Sequence, residues 1–378
     1  MSPRVKSPSE NPPRMSDGSK PSRCAIVKRR YRVALAAHCP PEPPWSGERR
    51  RVAAVHAYLS DRFDCDLYIC SERDSVGRRV RRKLQRALAP PYASRFDLAR
   101  RLDGDYDIIW VYELWALTCV PVRAWPHVIW DKDTLMGRSY ASGGRPRDRA
   151  MARWVAAYED LALRRVKHTF LSLTSDVTLL GRNDITLLPH GFVVSDIRPT
   201  GANRNPHPFR LGFVGLFDHE PNRCGLLWFV RELWPHIRGA DRGRDMELWV
   251  AGRGLRPDEQ AMLASTDGIE LKGYVEDLDG FYASVDLVVA PLLDGEGAPT
   301  KVMEALGYGV PVVGTPTGLR GVPADLATYC ISADGAAAWT DAIRRALVAK
   351  QSLKRDKRLL TYTWTSLLDH YAAPYLPS

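Results

Sequence analysis

The sequence predicts an α/β chain of two domains, each built on a parallel sheet, and three observations lead there. Its 378 residues make two domains the starting expectation, each large enough to bury its own core. From residue 210 to residue 349, apolar β-type runs alternate strictly with helical patterns, as in a parallel sheet covered on both faces. Before that run, Val193 to Phe209 shift to Pro, Asn, Gly and Arg and read as a linker.

Composition narrows the function classes. With 45% hydrophobic and 26% charged residues the chain is of ordinary globular make-up. The seven cysteines (24, 39, 65, 70, 119, 224 and 330) form no C-x-x-C pair, and no His cluster has zinc spacing. That argues for a reducing compartment and against a disulfide or metal framework. No apolar run approaches the ~20 residues that span a bilayer. The N-terminus lacks the apolar core of a signal peptide, so a cytoplasmic protein is expected. The +10 net charge is uneven: residues 1–200 hold 35 Lys/Arg against 22 Asp/Glu, the remainder 19 against 22. A basic first half invites an anionic partner.

Residues 1–30 read as a disordered basic tail. Tyr31–Ala37 is the first strand, followed by the Pro-rich loop His38–Glu48, a helix near Arg49–Leu59 and a strand Cys65–Cys70, a βαβ opening. Residues 76–88 repeat Val76, Val80, Leu84 and Leu88 among six basic residues. This is either a solvated helix packed by its apolar stripe or a surface helix that docks on anionic lipid. No aromatic interleaving supports a nucleic-acid partner. Tyr106–Tyr112 and His127–Trp130 read as buried strands. The second ends in Asp131-Lys132-Asp133, at the carboxyl end where α/β sheets place ligands, although such an Asp also caps helices. Residues 149–166 form a long helix, and short strands follow at Thr169–Leu173 and Ile185–Pro189. His190, next in line, is either structural or cleft-facing.

The second half reads as strand 210–216, helix 222–237, strand 246–252, helix 257–265, strand 269–275, helix 277–283, strand 285–291, helix 299–307, strand 310–314, strand 327–332 and helix 335–349. Its centre is Leu287–Thr315: strand, Gly-containing turn, helix and strand. Pro299 suits the first helical position, and Gly307 or Gly309 closes the helix. Free N–H groups and the helix dipole then favour phosphate over the turn. Glu296 lies in the turn, Lys301 in the first helical turn, and Glu304 one face-step on. A solvated helix with a Lys–Glu pair accounts for the same spacing. Asp277-Leu-Asp279 spells D-x-D but starts a helix, where capping explains it. Gly252-Arg-Gly254 is an incomplete dinucleotide fingerprint.

The segment E-G-A-P-T-K-V-M-E-A-L-G-Y-G-V-P-V-V resembles the E-x7-E signature of retaining GT-B glycosyltransferases, in particular the GT4-like group. The ordered turns F-V-G, P-N, V-A-G-R-G, G-Y-V-E-D and A-P extend the resemblance over roughly residues 210–320. It implies two Rossmann-like domains facing a cleft: 31–195 for the acceptor, 210–355 for the donor, and a 356–378 helix crossing back to the first. It also implies transfer from a nucleoside-diphosphate sugar, UDP first and GDP next, without metal or other cofactor.

Residue by residue, Glu304 would take the ribose hydroxyls, and the backbone at Tyr274 and Val275 the base edge. Gly297, Ala298, Pro299, Thr300 and Lys301 would hold the diphosphate, with Gly215 close by, and Glu296 would bind the donor sugar. Asp131, with Asp133 next, would stand near the reacting centre. Relatives carry a second cation, often an Arg where this chain has Pro299; Arg223, then Arg253, are the substitutes. Relatives also carry two glycines in the first loop, where Gly47 is here followed by Glu48. The basic stretch 143–149 suits a saccharide or polyprenyl-diphosphate-linked acceptor in polysaccharide synthesis, at the inner face of the plasma membrane. A sugar-nucleotide epimerase, a phosphorylase, or an inactive membrane-docking relative are the competing readings.

Overall fold

The structure is a computed structural model that describes residues 31–44, 46–70, 106–135, 146–193, 208–240, 246–295, 297–353 and 356–377. The N-terminal tail, the 76–88 segment, residues 136–145 and Glu296 lie outside the described residues.

Two six-stranded parallel sheets organise the chain. In the first, β1 (Arg32–Ala37), β2 (Asp64–Ile69), β3 (Ile108–Tyr112), β4 (Val128–Lys132), β5 (His168–Leu171) and β6 (Ile185–Leu187) run in the order β2-β1-β3-β4-β5-β6. In the second, β7 (Phe209–Leu216), β8 (Met246–Arg253), β9 (Ile269–Gly273), β10 (Leu287–Ala290), β11 (Val312–Gly314) and β12 (Cys330–Ser332) run in the order β12-β11-β10-β7-β8-β9. The central strands β3, β4 and β10 are buried at every position, as strands covered on both faces must be.

Helices cover these sheets. In the first lobe they are α1 (Gly47–Arg62), α2 (Glu113–Leu117), α3 (Pro146–Leu163) and α4 (Thr174–Leu180). In the second they are α5 (Glu220–Trp228), joined through a π-helical turn at Phe229–Leu233 to α6 (Trp234–Ala240), then α7 (Pro257–Ser265), α8 (Leu278–Ser284), α9 (Thr300–Gly307) and α10 (Ala336–Leu353). Local chemistry starts several of them. Ser46 Oγ accepts the Arg49 N–H at 3.3 Å to open α1, and Asp277 Oδ1 accepts the Gly280 N–H at 2.8 Å to open α8. Capping is thus the observed job of Asp277.

Two expectations need correction. The strand expected at 327–332 is a 3₁₀ turn over Ala324–Tyr329 with only Cys330–Ser332 in the sheet, because Pro323 and a buried Leu326 favour a tight turn packed inward. The single tail helix is broken into 3₁₀ (Lys357–Tyr362), α11 (Trp364–Leu367) and π (Leu368–Ala372) pieces. Thr363 interrupts it by capping the Ser366 N–H and bridging Phe192. Beyond that bridge, Leu367, Leu368 and Ala372 join the core of Val33, Leu35, Val55 and Leu59. Tyr58 Oη donates to Asp369 at 2.8 Å.

Each sheet order reverses once, between β1 and β3 and between β7 and β10. Ligands of open α/β sheets sit at such switch points, off the carboxyl ends of the strands. Here the loops after β1, β3, β7 and β10 all line one cleft.

Candidate active site

The cleft has a volume of about 920 Å³. Its second-lobe wall contains Gly215, Tyr274, Val275, Gly297, Ala298, Pro299, Thr300, Lys301 and Glu304, so nine of the residues singled out from sequence meet there.

Lys301 is 7% exposed. Its Nζ donates to Asn222 Oδ1 at 2.7 Å and lies 4.3 Å from the centre of the Phe213 ring. Neither partner is a carboxylate. Burial pushes the ammonium down to about 7, with Glu304 acting the other way. Asn222 is itself fixed by donating to Leu216 O at 2.9 Å. Gly215 leaves the space beside it: a Cβ there would lie 3.1 Å from the Asn222 amide and 3.3 Å from Lys301 Nζ, so a side chain would press on both groups.

Glu304 faces the same cleft. Its Oε1 lies 2.6 Å from Arg50 Nη2 of the first lobe, and Oε2 accepts from Tyr282 Oη at 3.3 Å. Gly47 marks how closely the lobes approach, since a Cβ there would stand 2.4 Å from the Thr300 side chain. The N-termini of α1 and α9 therefore meet across the cleft, and both bring positive dipole ends to it.

Three candidates are placed elsewhere. Asp131 is fully buried and does not line the cleft. Arg51, equally buried, holds it with Nη2 at 2.6 Å and Nε at 3.1 Å from both carboxylate oxygens. The end of the strand explains this: Asp131, still within β4, points into the layer under α1, whereas the chain leaves β4 at Lys132 and the cleft receives Asp133. Arg223 is spent on Glu259 at 2.9 Å, and neither it nor Arg253 lines the cleft.

The first-lobe wall holds what the sequence concealed. Asp133 accepts from Tyr112 Oη at 2.7 Å and lies 3.1 Å from His190 Nε2. Against the upward push of burial, His190 and Arg51 hold its carboxyl well below the usual range. His190 is buried and acts as this partner, outside the main cleft.

Glu113, directly after β3, lines the cleft with φ +67°, a conformation that costs a non-glycine residue about 1–3 kcal/mol. Its Oε1 accepts the Asp133 N–H at 2.7 Å. Burial pushes this carboxyl up to about 7, Lys132 notwithstanding. The strand-end rule that singled out Asp131 applied equally at Glu113, but nothing in composition distinguished it. Trp115, Arg50 and Arg320 also line the cleft.

His38, Cys39 and Glu48 bring donor atoms within 4.8 Å of one another. That spread is looser than zinc–ligand bonds of about 2.0–2.3 Å dictate. The His38–Glu48 contact of 3.4 Å secures the loop after β1. Among the described residues, no helix is long and apolar enough to cross a membrane.

Residues 208–348 match the family described as Glycosyl transferases group 1. Among solved structures, sucrose-phosphate synthase from Thermosynechococcus elongatus has a TM-score of 0.62 at 14% identity, over 90% of this chain and 96% of that one. WaaG, a glycosyltransferase involved in lipopolysaccharide biosynthesis, has 0.60 at 13%, over 90% and 99%. The pneumococcal O-GlcNAc transferase GtfA, solved with UDP and GlcNAc, has 0.51 at 14%, over 72% and 57%. No curated protein matches the chain in sequence. The likeness is one of fold: the chain has the two Rossmann-like lobes of GT-B glycosyltransferases.

Proposed function

We propose that this chain is a retaining glycosyltransferase. In this reading it moves a hexose-type sugar from a nucleoside-diphosphate sugar, UDP before GDP, to a saccharide or lipid-linked acceptor in glycoconjugate synthesis. The observation that carries the reading is Lys301, a buried ammonium without a carboxylate partner among the described residues, at the N-terminus of α9. An unpaired buried cation is costly, and a diphosphate over the Gly297–Thr300 turn offsets that cost. The second-lobe family match and the UDP in GtfA agree with a nucleotide at this wall.

As the bond from the sugar C1 to the diphosphate oxygen breaks, positive charge grows on the ring and negative charge on the leaving oxygen. Lys301 and the N–H groups at the start of α9 stand ready for the latter, a preorganised electrostatic contribution. The acceptor oxygen forms its bond to C1 on the same face, and its proton passes to the departing phosphate. Nucleoside diphosphate and the new glycoside are the products. Asp133 and Glu113, on the opposite wall, accept hydrogen bonds from acceptor hydroxyls.

Glu304 is the proposed ribose partner. Its carboxylate has acceptor capacity beyond Arg50 and Tyr282, so a hydroxyl can join them. Calorimetric titration of the full chain checks this assignment. UDP is expected to bind, and 2′-deoxy-UDP to bind about tenfold more weakly, as the loss of one charge-assisted hydrogen bond implies. Glu304→Ala should erase that preference. A variant that keeps the preference contradicts the ribose assignment, and a parent that binds no nucleoside diphosphate contradicts the whole reading.

A further inference from the structure

One lysine does not match the charge of a diphosphate, and the arginines expected to help do not reach the cleft. Arg223 is paired with Glu259, Arg253 is absent from the lining, and residue 299 is proline. Arginine enters the cleft wall at two other places, Arg50 and Arg320. Arg50 is engaged by Glu304 at 2.6 Å.

Arg320 differs from the others. Its Nη2 donates to the carbonyl oxygen of Gly295 at 2.6 Å. Its Nε, like that of Arg50, is buried and has no hydrogen-bond partner among the described residues, a state that calls for an explanation in a folded protein. Unlike Arg50, it has no carboxylate partner among those residues. Gly295 begins the turn that leads into α9, so the guanidinium stands against the backbone whose N–H groups open that helix.

The loop bearing Arg320 is fixed there. Thr315 Oγ1 accepts the Gly318 N–H at 3.0 Å and donates to Leu292 O. A Cβ on Gly321 would lie 2.6 Å from the Ala298 methyl group. The side chain is thus anchored at one end of its fork, with Nε unpartnered among the described residues, and a guanidinium suits phosphate oxygens in a bidentate manner.

We propose that Arg320 is the second cation of the donor site and binds the distal phosphate of the nucleoside diphosphate. This assignment rests on the donor reading above. It also makes the loop after β11 part of the substrate machinery, beyond the E-x7-E segment that ends at Val313.

The test is calorimetric titration of the full chain with UDP and with UMP, for the parent, Arg320→Lys and Arg320→Gln. Arg320→Gln should weaken UDP by about tenfold or more, as expected for a lost charge-assisted contact, and change UMP less than about twofold. Arg320→Lys keeps the charge but loses the bidentate fork, and should bind UDP more weakly than the parent and more tightly than Arg320→Gln. Equal losses for UDP and UMP would overturn the proposal, as would an unchanged UDP affinity in Arg320→Gln. Either result leaves Arg320 as a brace for Gly295. If the parent binds UMP and UDP equally, the distal phosphate has no site, and the assignment fails while nucleoside binding stands. A parent that binds neither UDP nor GDP removes the donor reading and Arg320's role together.

Discussion

Lys301→Met is expected to lower kcat/KM for sugar transfer by about 10²–10³-fold, the usual effect of removing one preorganised charge-stabilising donor. The variant should fold as well as the parent, because methionine fills the same apolar sleeve beside Phe213 without burying a charge. A pH signature accompanies it. In the unliganded protein burial pushes Lys301 down to about 7. A bound diphosphate favours the ammonium and raises that value. Below pH 7 the lysine is already charged and UDP affinity is flat on its account. Above pH 7 binding must take up a proton, and affinity falls with rising pH until the bound-state value is passed. Titrations at pH 6 to 9 in buffers of different ionisation enthalpy measure both terms. Proton uptake that persists in Lys301→Met would assign the titration to another group.

The second large effect is on stability. Asp131→Ala is expected to cost about 3–5 kcal/mol, because it strands the buried Arg51 charge. Burial disfavours that charge, yet Asp131 and Asp133 hold the guanidinium well above its ordinary range. Arg51 also donates to Leu188 O at 3.0 Å and lies 5.4 Å from the Trp364 ring centre. The pair therefore ties α1, β4, the end of β6 and the tail together. Urea unfolding followed by tryptophan fluorescence measures the loss. The double variant Arg51→Met/Asp131→Leu should recover most of it, since replacing both charges by apolar groups is often neutral. If Asp131→Asn were as stable as the parent but inactive, Asp131 would be a catalytic group after all.

The contrast between these residues shows what the sequence disclosed. Lys301, Glu304 and the turn before them are local: one strand, one turn and one helix of known geometry bring them together, so spacing and resemblance were enough. Strands β7 to β11 of the second sheet were legible for the same reason, each an apolar run between turn residues. Pairings across long stretches of chain were not. Arg51 meets Asp131, Arg50 meets Glu304 and Arg320 meets Gly295 only because parallel strands bring distant loops to one end of each sheet. In sequence Asp131 and Asp133 look alike because period-2 alternation sends them to the same face of an ideal strand; the chain leaves β4 at Lys132, and only the second aspartate turns into the cleft. Glu113 is not legible in the sequence, because its left-handed backbone has no mark in composition.

The central claim is that a nucleoside diphosphate lies in the crevice between β7, β10 and α9. Its most direct test is a crystal structure of the full chain with UDP. The account predicts the diphosphate against the Gly297–Thr300 backbone with an oxygen within hydrogen-bonding distance of Lys301 Nζ, and the ribose at Glu304. A nucleotide bound at any other wall, with Lys301 still confined to Asn222, would contradict it.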